Sequence, residues 1–381
     1  MTFFLVVIGI WALAHLYVGW RLWGPEPAYR WGLGLTLLVS FATAPTSFIV
    51  MSRSGELWAD VLQGVGFVAM GAFSILWVLT VARDLAWLAA LGLDKVVAVL
   101  PEDPDRRAFL RRGLDVGVLG ASAVLTTAAV VRAKMGATVE VVEVLIEDLP
   151  SDLNGFRIAQ VSDIHVGATV RRGHVQAIVD QVNALEADLI AITGDLVDGS
   201  VEGLTPHVDP LRGLKATHGA AFCTGNHEYY SGAGPWCAKV EELGIRVLTN
   251  ASVVLEHGDA RVLLAGVPDR QGGRFLEGHR PDPVAVAEAA EPADVRVLLS
   301  HQPITATEGA RAGFDLQLSG HTHAGQYFPF TLFIRLGQRW TEGLHRVGEM
   351  WLYVNRGTTW WGPPLRLGAP QEVTLLTLRR A

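Results

Sequence analysis

Five short polar clusters in the sequence contain side chains of the kind that bind divalent cations. They read SDIH (162–165), TGDLVD (193–198), TGNHE (224–228), SHQP (300–303) and SGHTH (319–323). Imidazole and carboxylate groups suit Mn, Zn and Fe, and this set needs no cysteine thiolate. The candidate ligands are Asp163, His165, Asp195, Asn226, His301, His321 and His323. Seven ligands are too many for one tetrahedral zinc ion, but they suit two cations that share a bridging carboxylate.

Each cluster stands directly behind a short apolar run that is typical of a β-strand. The runs are RIAQVS (157–162), DLIAIT (188–193), GAAFCT (219–224), VRVLLS (295–300) and FDLQLS (314–319). Ligands of α/β sheets bind at the carboxyl ends of strands, so the clusters are expected to converge in space. A single Asp-x-His sequence often occurs on a protein surface without any function. Five clusters of possible metal ligands, each behind a predicted strand, instead predict one site. Gly194, Gly225 and Gly320 would let the backbone turn sharply there.

Strands and helices alternate from about Thr138 onward, with helix-like stretches at 174–185 and 236–243. This alternation predicts a layered α/β domain at residues 138–381. Further strands are predicted at SVVLEHG (252–258), RVLLAGV (261–267), EMWLYVN (349–355) and QEVTLLTL (371–378). So many strands favour a mixed or doubled sheet.

The first 135 residues have a different character. The chain as a whole is 50% hydrophobic and 18% charged, with a mean hydropathy of +0.30, and the apolar excess is concentrated here. Four runs approach the roughly 20 residues that cross a bilayer. They predict transmembrane helices at 3–22, 31–51, 60–82 and 113–132. Buried helices of a soluble bundle would need polar faces that these runs lack. Leu85–Leu100 is expected to be a separate surface helix, because it contains Asp94 and Lys95.

The charges of the connecting loops predict how these helices are oriented. The first and third connections share one side and carry eight basic residues between them, whereas the other side has only Arg53, Arg132 and Lys134. By the positive-inside rule the basic loops are cytoplasmic. The protein is therefore expected to be a multi-pass protein of the cell membrane with an exoplasmic or periplasmic C-terminal domain. Arg132 and Lys134 oppose this orientation.

Composition also narrows the classes of function. The formal charge of −7 gives no support for nucleic-acid binding, which favours a basic face. The apolar spans contain no carboxylate pair or basic series, so an anchor or platform is favoured over a transporter. The two cysteines, Cys223 and Cys237, either form one disulfide in an oxidising compartment or are two buried thiols.

Residues 138–381 resemble the calcineurin-like metallophosphoesterases. The motifs of that family are D-x-H, G-D-x-x-D, G-N-H-[ED], a later H and G-H-x-H, and they stand here in order as DIH, GDLVD, GNHE, SHQP and GHTH. The segments GHTHAGQ (320–326) and YVNRG (353–357) are similar to the corresponding segments of the YkuE/YaeI-type branch, which includes members with an N-terminal multi-span region. The resemblance implies an α/β fold of two packed mixed β-sheets flanked by helices, preceded by an all-α four-helix transmembrane region at 1–135.

The resemblance also implies a role for each motif residue. The first of two divalent cations, Mn, Zn or Fe, would take Asp163, His165, Asp195 and His323. The second would take Asp195, Asn226, His301 and His321, so that Asp195 is the bridge. His227 would contact the substrate phosphate or leaving group without binding a cation, and Asp198 would orient His227.

The residue types agree with the implied hydrolysis of phosphoric esters. Attack on a phosphate anion is slow because charge accumulates on oxygen, and two cations about 4 Å apart can activate a nucleophile and neutralise that charge. A protonated His227 would stabilise the leaving oxygen. Glu228 would support Asn226 or His227, or would be a solvated or capping residue. Arg356 would touch a substrate anion or form a structural salt bridge.

An apolar run, AGQYFPFTLFIRLGQRW (324–340), follows the last motif, and TTWWGPP (358–364) lies near the C-terminus. The segment TLFI is either a buried core strand or part of an exposed loop. Trp and Tyr favour the headgroup level of a bilayer, so aromatic loops here are expected to rim the site and face the membrane. The aromatic residues are Tyr327, Phe328, Phe330, Phe333, Trp340, Trp360 and Trp361.

Together these features predict a membrane-anchored, dinuclear-metal phosphohydrolase. Its substrate is expected to contain a phosphodiester or pyrophosphate bond, in a lipid-linked or membrane-proximal molecule. The alternatives are a non-enzymatic metal-dependent membrane receptor or scaffold, a protein phosphatase, and a UDP-diacylglucosamine-type pyrophosphatase. The predicted exoplasmic orientation disfavours the last of these, because sugar-nucleotide lipids are presented on the cytoplasmic face.

Overall fold

The computed structural model describes residues 2–24 and 26–381; Met1 and Pro25, within the predicted membrane region, lie outside the described residues. The chain begins with four long helices: α1 (Thr2–Leu22), α2 (Pro27–Ile49), α3 (Leu57–Asp94) and α4 (Pro104–Lys134). Each is long and apolar enough to cross a membrane. Most of their side chains are not buried within the protein, as expected of helices whose outer surface is apolar.

Two of these helices are longer than the sequence predicts. Helix α3 continues without a break through Asp84 to Asp94, so the separate surface helix expected at 85–100 is wrong. It ends where the Asp94 carboxylate accepts hydrogen bonds from the backbone N–H groups of Val99 and Leu100. Helix α4 begins well before residue 113, because Pro104 occupies its first turn and the Asp103 carboxylate caps it.

A buried ionic cluster joins α1, α3 and α4. The Asp84 carboxylate accepts hydrogen bonds from Tyr17 at 2.5 Å and from Arg21 at 2.6 Å, and Arg83 contacts both Asp84 and Asp115. These charges lie at the end of the bundle that carries the α1–α2 and α3–α4 connections. Asp60, at the opposite end of α3, forms an ion pair with Arg171 of the globular region.

The rest of the chain forms two six-stranded sheets. The first has the order β1-β12-β2-β3-β4-β5 and the second β10-β11-β9-β8-β7-β6. The strands are β1 (Thr138–Ile146), β2 (Arg157–Val161), β3 (Leu189–Thr193), β4 (Ala220–Cys223), β5 (Arg246–Val247), β6 (Ala251–His257), β7 (Ala260–Gly266), β8 (Val295–Leu299), β9 (Leu316–Ser319), β10 (Gly343–Val347), β11 (Met350–Val354) and β12 (Glu372–Arg380). Both sheets are mixed, which confirms the predicted architecture.

Helices flank the two sheets. They are α5 (Arg172–Asn183), α6 (Val201–Val208), α7 (Asn226–Ser231), α8 (Ala233–Glu242), α9 (Pro283–Ala289), α10 (Ala306–Arg311) and α11 (Phe330–Gly337). Short 3-10 turns occur at Met51–Arg53, Ser151–Leu153, Asp209–Gly213, Gly272–Arg274, Pro303–Thr305 and His323–Gly325. Apolar residues of both sheets, such as Ile158, Leu189, Leu264 and Val297, form a continuous core between them.

The apolar segment TLFI belongs to α11, so it is neither the core strand nor the exposed loop that the sequence suggested. The aromatic rim is also only partly as expected. Tyr327, Trp340 and Trp360 are buried, whereas Phe330 and Phe333 are exposed.

In the part of the chain that the structure describes, Cys223 and Cys237 are free thiols, so the disulfide alternative is wrong.

The globular region packs directly against the membrane helices. The Tyr327 hydroxyl lies 3.1 Å from the Ser74 hydroxyl of α3, and the backbone N–H of Arg366 donates to the carbonyl of Ala129 in α4 at 3.0 Å. Tyr327 and Leu365 share an apolar cluster with residues of α3 and α4. The loops after β9 and β11 are therefore fixed to the helical bundle.

Candidate metal centre

The polar clusters converge at one edge of the sheets, because β2, β3, β4, β8 and β9 all end there. Backbone hydrogen bonds connect the loops: the N–H of Asp163 donates to the carbonyl of Gly194, and the N–H of His165 donates to the carbonyl of Asp195, both at 3.0 Å. The N–H of His321 donates to the Asp163 carboxylate at 3.0 Å. These contacts position the loops of both sheets around a common centre.

The predicted ligands form two compact groups within this centre. The first comprises Asp163, His165 and His323, and the second comprises Asp195, His301 and His321, with the ligand atoms of each group within 4.8 Å of one another. Asp195 also contributes to a third group with His165 and His227. Asp195 therefore lies between the two main groups, as a bridging carboxylate would.

Unpaired polar atoms in this centre show that the residues fit a cation. Asn226 Oδ1 and His301 Nε2 are buried and have no hydrogen-bond partner among the described residues. His301 Nε2 lies 3.0 Å from Asp195 Oδ2 but lacks hydrogen-bond geometry. A buried polar atom without a partner is costly, and a metal ion would satisfy both atoms.

Backbone strain is concentrated at the same residues. Five of the seven predicted ligands adopt a left-handed backbone conformation that is uncommon for residues other than glycine. Their φ angles are 54° for Asp163, 49° for His165, 51° for Asp195, 75° for His321 and 49° for His323. Such strain persists only where the surrounding structure enforces it, and it clusters at functional sites.

Close approach of the loops requires glycine at two positions. A Cβ atom on Gly320 would lie 1.9 Å from Ser162 Oγ and 2.2 Å from Asp163 Oδ2. A Cβ atom on Gly225 would lie 2.1 Å from Asp195 Oδ1. Any side chain at these positions would displace a predicted ligand.

The protonation states of His321, His323 and Asp195 suit a cation. Burial lowers the pKa of His321 and of His323 to about 4, so both imidazoles are neutral at pH 7. Burial opposes ionisation of Asp195, but the charges of His301 and His227 outweigh it and hold the Asp195 pKa well below its usual value. Neutral imidazole and ionised carboxylate are the forms that bind metals. Burial lowers the pKa of His301, but Asp195 outweighs burial and raises it well above its usual value, so His301 must lose a proton when a cation binds.

His227 and Asp198 form a hydrogen-bonded pair beside these ligands. His227 Nδ1 lies 2.5 Å from Asp198 Oδ1. Burial lowers the pKa of His227, but the charges of Asp195 and Asp198 outweigh burial and raise it to about 9. The Asp198 carboxylate also lies 3.2 Å from His165 Nδ1. Asp198 therefore contacts a predicted ligand as well as the histidine that the motif assigns to it.

Comparison with known proteins identifies the family. Residues 156–325 match the calcineurin-like phosphoesterase family. A transmembrane protein with a metallophosphoesterase domain from Bos taurus is 36% identical over 332 residues, which are 83% of this chain and 74% of the relative. A metallophosphoesterase from Helicobacter pylori is 31% identical over 352 residues, which are 90% of this chain and 92% of the relative. The chain belongs to the calcineurin-like phosphoesterase family.

Other similar proteins carry related names. The metallophosphoesterase YkuE from Bacillus subtilis is 29% identical over 61% of this chain and 82% of its own length. Among solved structures, a dimetal phosphatase from Danio rerio has a TM-score of 0.37 and 11% identity, and covers 59% of this chain and 99% of that chain. Membership of the family makes the protein a metal-dependent phosphoric ester hydrolase, as the resemblance implied.

Two residues of this phosphoesterase whose roles the sequence left open are structural. The fully buried Glu228 carboxylate accepts hydrogen bonds from the backbone N–H groups of Gly225 at 2.6 Å, Leu196 at 2.8 Å and Asp195 at 3.0 Å. It therefore joins the GDLVD loop to the GNHE loop and is not solvated. The Arg356 guanidinium forms salt bridges with Glu372 and Glu140, so Arg356 has the structural role and not the substrate contact that the sequence also allowed.

Arg366 is a residue of the phosphoesterase site that the sequence did not reveal. It is fully buried, and its Nη2 lies 3.0 Å from His323 Nδ1. Its other nitrogens donate to backbone carbonyls, including those of Arg356 and Thr359. His323 Nε2 is the nitrogen that faces Asp163. If Nε2 binds a cation, the ring proton is on Nδ1, so Arg366 packs against the ring and does not donate to it in that form. No local motif marks this arginine, because its role arises from tertiary contact alone.

Replacing Arg366 by Met is expected to weaken metal binding. The Arg366 guanidinium holds the carbonyls of Gly357 and Thr359 in the loop against which the His323 ring packs. Loss of such an outer contact typically costs about 10- to 100-fold in metal affinity. Mn²⁺ titration of the purified protein would measure this change. Arg356→Met removes a neighbouring arginine that does not contact the predicted ligands and is the matched control. Equal Mn²⁺ affinity in Arg366→Met and the native protein would contradict the role, with thermal unfolding showing whether each variant is folded.

Proposed function

We propose that this protein is a multi-pass membrane enzyme that uses two divalent cations, Mn, Zn or Fe, to hydrolyse a phosphodiester or pyrophosphate bond in a lipid-linked or membrane-proximal substrate. Residues 1–135 form its membrane region and residues 138–381 its phosphoesterase domain. One observation carries the substrate class: a continuous aromatic contact joins the candidate site to the end of a membrane helix.

That contact runs through Trp361. Its ring centre lies 5.3 Å from that of His227 on one side and 5.9 Å from that of Phe48, near the end of α2, on the other. Phe48 in turn contacts Phe67 of α3 at 5.4 Å. A lipid tail lying against Phe48 and Trp361 would place an attached phosphate beside His227.

The assignment of ligands follows the two groups of side chains. Asp163, His165 and His323 would hold the first cation, His301, His321 and Asn226 would hold the second, and Asp195 would serve both. The unpaired Asn226 Oδ1 supports its place in the second set. Bound divalent cations would supply Lewis acidity for attack of water on phosphorus and would neutralise the phosphoryl oxygens.

The protein's own residues supply the proton chemistry. His227 is protonated at neutral pH because Asp195 and Asp198 raise its pKa, so it donates to the leaving oxygen. Asp198 holds His227 through Nδ1, which directs Nε2 away from Asp198 and toward the substrate side. Trp361 packs edge-on against the same ring, with the ring centres 5.3 Å apart.

The phosphoesterase domain is proposed to be exoplasmic. The α1–α2 and α3–α4 connections lie at the end of the bundle away from the domain. These connections and the adjoining parts of the helices carry most of the basic residues of the membrane region. The positive-inside rule places that end in the cytoplasm. A C-terminal alkaline phosphatase fusion should be active and a C-terminal green fluorescent protein fusion dark; the reverse pattern would overturn the orientation.

Trp361→Leu is the variant that tests the substrate class. The full chain would be reconstituted with Mn²⁺ or Zn²⁺ and assayed on bis-p-nitrophenyl phosphate, a phospholipid and a polyprenyl pyrophosphate. Loss of about 1.4 kcal/mol of apolar contact with the tail should reduce kcat/KM for the lipid substrate about tenfold more than kcat/KM for the chromogenic diester, which has no tail. Trp23→Leu, at the far end of the bundle, is the control. Hydrolysis of the soluble diester alone would overturn the lipid-linked substrate.

A further inference from the structure

Helix α11 exposes four large apolar side chains. The exposed fractions are 40% for Phe330, 60% for Leu332, 52% for Phe333 and 86% for Leu336. At 100° per residue these positions span about 160° of the helix circumference, whereas Thr331 and Ile334 are half-buried within the remaining arc. We call the four exposed side chains the α11 face. In water such a face would be unfavourable, so it requires an apolar neighbour.

The position of α11 relative to the membrane helices identifies that neighbour. Tyr327, which precedes α11, contacts Ser74 of α3. At a rise of 1.5 Å per residue, Ser74 lies about 21 Å along α3 from Asp60 and about 15 Å from Asp84. Asp60 pairs with the phosphoesterase domain, and Asp84 belongs to the ionic cluster at the other end of the bundle.

Ionic groups are expensive in hydrocarbon, and Ser74 lies between the charged groups at Asp60 and Asp84, which are about 36 Å apart along α3. The apolar layer is about 30 Å thick, so Tyr327 meets α3 within that layer. Leu365 reaches the same depth, since a Cβ atom on Gly71 of α3 would lie 2.8 Å from its side chain. Helix α11 therefore starts inside the leaflet on the side of the phosphoesterase domain.

The residues at the end of α11 fit the boundary of that leaflet. Arg335 is exposed and lies 3.4 Å from Glu342. The Arg339 guanidinium stacks on the Trp340 ring at 4.7 Å. Trp340 itself is buried, whereas Arg335 and Arg339 are exposed. Exposed arginines favour the headgroup level, so the helix would have acyl chains on its apolar face and headgroups at its C-terminal end.

We propose that α11 is an interfacial helix inserted into the domain-side leaflet, with the α11 face in contact with lipid acyl chains. The occupant is lipid, because the face is continuous with the apolar surface of the bundle and lies at the depth of its spanning segments. The proposal concerns how the domain meets the bilayer, and it holds whatever the enzyme's substrate is.

Spin labels on the full chain in phosphatidylcholine–phosphatidylglycerol vesicles test this proposal. Cys237→Ser removes the partly accessible native thiol, and Cys223 is fully buried. Single labels would then be placed through Leu336→Cys and Phe333→Cys. Leu16→Cys, on the exposed surface of α1, is the lipid-facing control, and Glu349→Cys, at an exposed turn of the domain, is the water-facing control.

Labels at 333 and 336 are expected to collide with dissolved oxygen within about twofold of the label at 16. They should collide with a water-soluble nickel chelate at least fivefold less often than the label at 349. Chelate access equal to that at 349 would place the face in water and overturn the proposal. Immobile labels shielded from both reagents would indicate a protein neighbour, such as a second copy, and would also overturn it. Two label positions prevent one poorly folded variant from deciding the result.

Discussion

Asp195→Asn is expected to lose most of the bound metal and to reduce phosphoester hydrolysis on the order of 10³-fold or more. Asp195 Oδ2 lies 3.0 Å from His301 Nε2 and 3.9 Å from His165 Nε2, so one carboxylate serves both groups of ligands. Its Oδ1 also accepts the backbone N–H of His227 at 2.8 Å. An amide keeps the shape but removes the negative charge and one of the two acceptor oxygens, so neither cation would be held well.

Elemental analysis of the purified variant, together with hydrolysis of bis-p-nitrophenyl phosphate, would measure both effects. Asp315→Asn is the matched control, because Asp315 precedes β9 at the opposite end of the strand and accepts the backbone N–H of Arg296. The control should keep native metal content and rate. An Asp195→Asn protein that still binds two equivalents of Mn²⁺ would refute the bridging role, and its thermal midpoint would show whether the fold is intact.

The positions of the predicted ligands were accessible from sequence because local signals agree there. Strands β2, β3, β4, β8 and β9 are almost entirely buried, and buried strands read as short apolar runs. A polar cluster directly behind such a run must lie at the strand end. The convergence of five clusters then follows from the common direction of these strands in the two sheets.

The strands that the sequence did not predict lack this signal. Strand β1 lies at a sheet edge, carries Glu140 and Glu143, and pairs with the C-terminal strand β12. Its place therefore depends on a contact between distant parts of the chain. Strand β5 has only two residues, too few for a pattern. Non-local pairing and short length, rather than an unusual composition, explain why these elements were missed.

Helix α11 and Arg366 were missed for a different reason. The sequence of α11 is apolar enough for a core strand. Its helical form exposes an apolar face, which would be unfavourable in water and is explained by its position beside the membrane helices. Arg366 is charged and would ordinarily be placed on the surface. Its burial depends on carbonyls from three separate loop positions and on His323. Neither feature can be recognised from neighbouring residues in the sequence.

His227→Gln is expected to keep the bound metal but to reduce kcat by about 10²- to 10⁴-fold for substrates with a poor leaving group. His227 lies outside the two main groups of predicted ligands, although it is grouped with His165 and Asp195, and its Nδ1 is held by Asp198 at 2.5 Å. Its role is to donate a proton to the leaving oxygen. p-Nitrophenolate needs little such help, so bis-p-nitrophenyl phosphate should lose much less activity than an alkyl diester.

The pH dependence gives a second signature of the same role. A proton donor must be protonated, so activity that depends on His227 is present below its pKa and is lost as pH rises through it. Burial opposes protonation, yet Asp195 and Asp198 raise the pKa to about 9. Cations bound beside His227 would lower that value by repulsion, so the alkaline limb of the native kcat profile should fall at or below about pH 9. Glutamine does not titrate, and the variant should lack this limb. Equal losses for good and poor leaving groups would exclude proton donation and leave His227 with an electrostatic role toward phosphate, because a positioning charge would affect both leaving groups alike. An unchanged alkaline limb would show that the limb does not come from His227 and would contradict both roles.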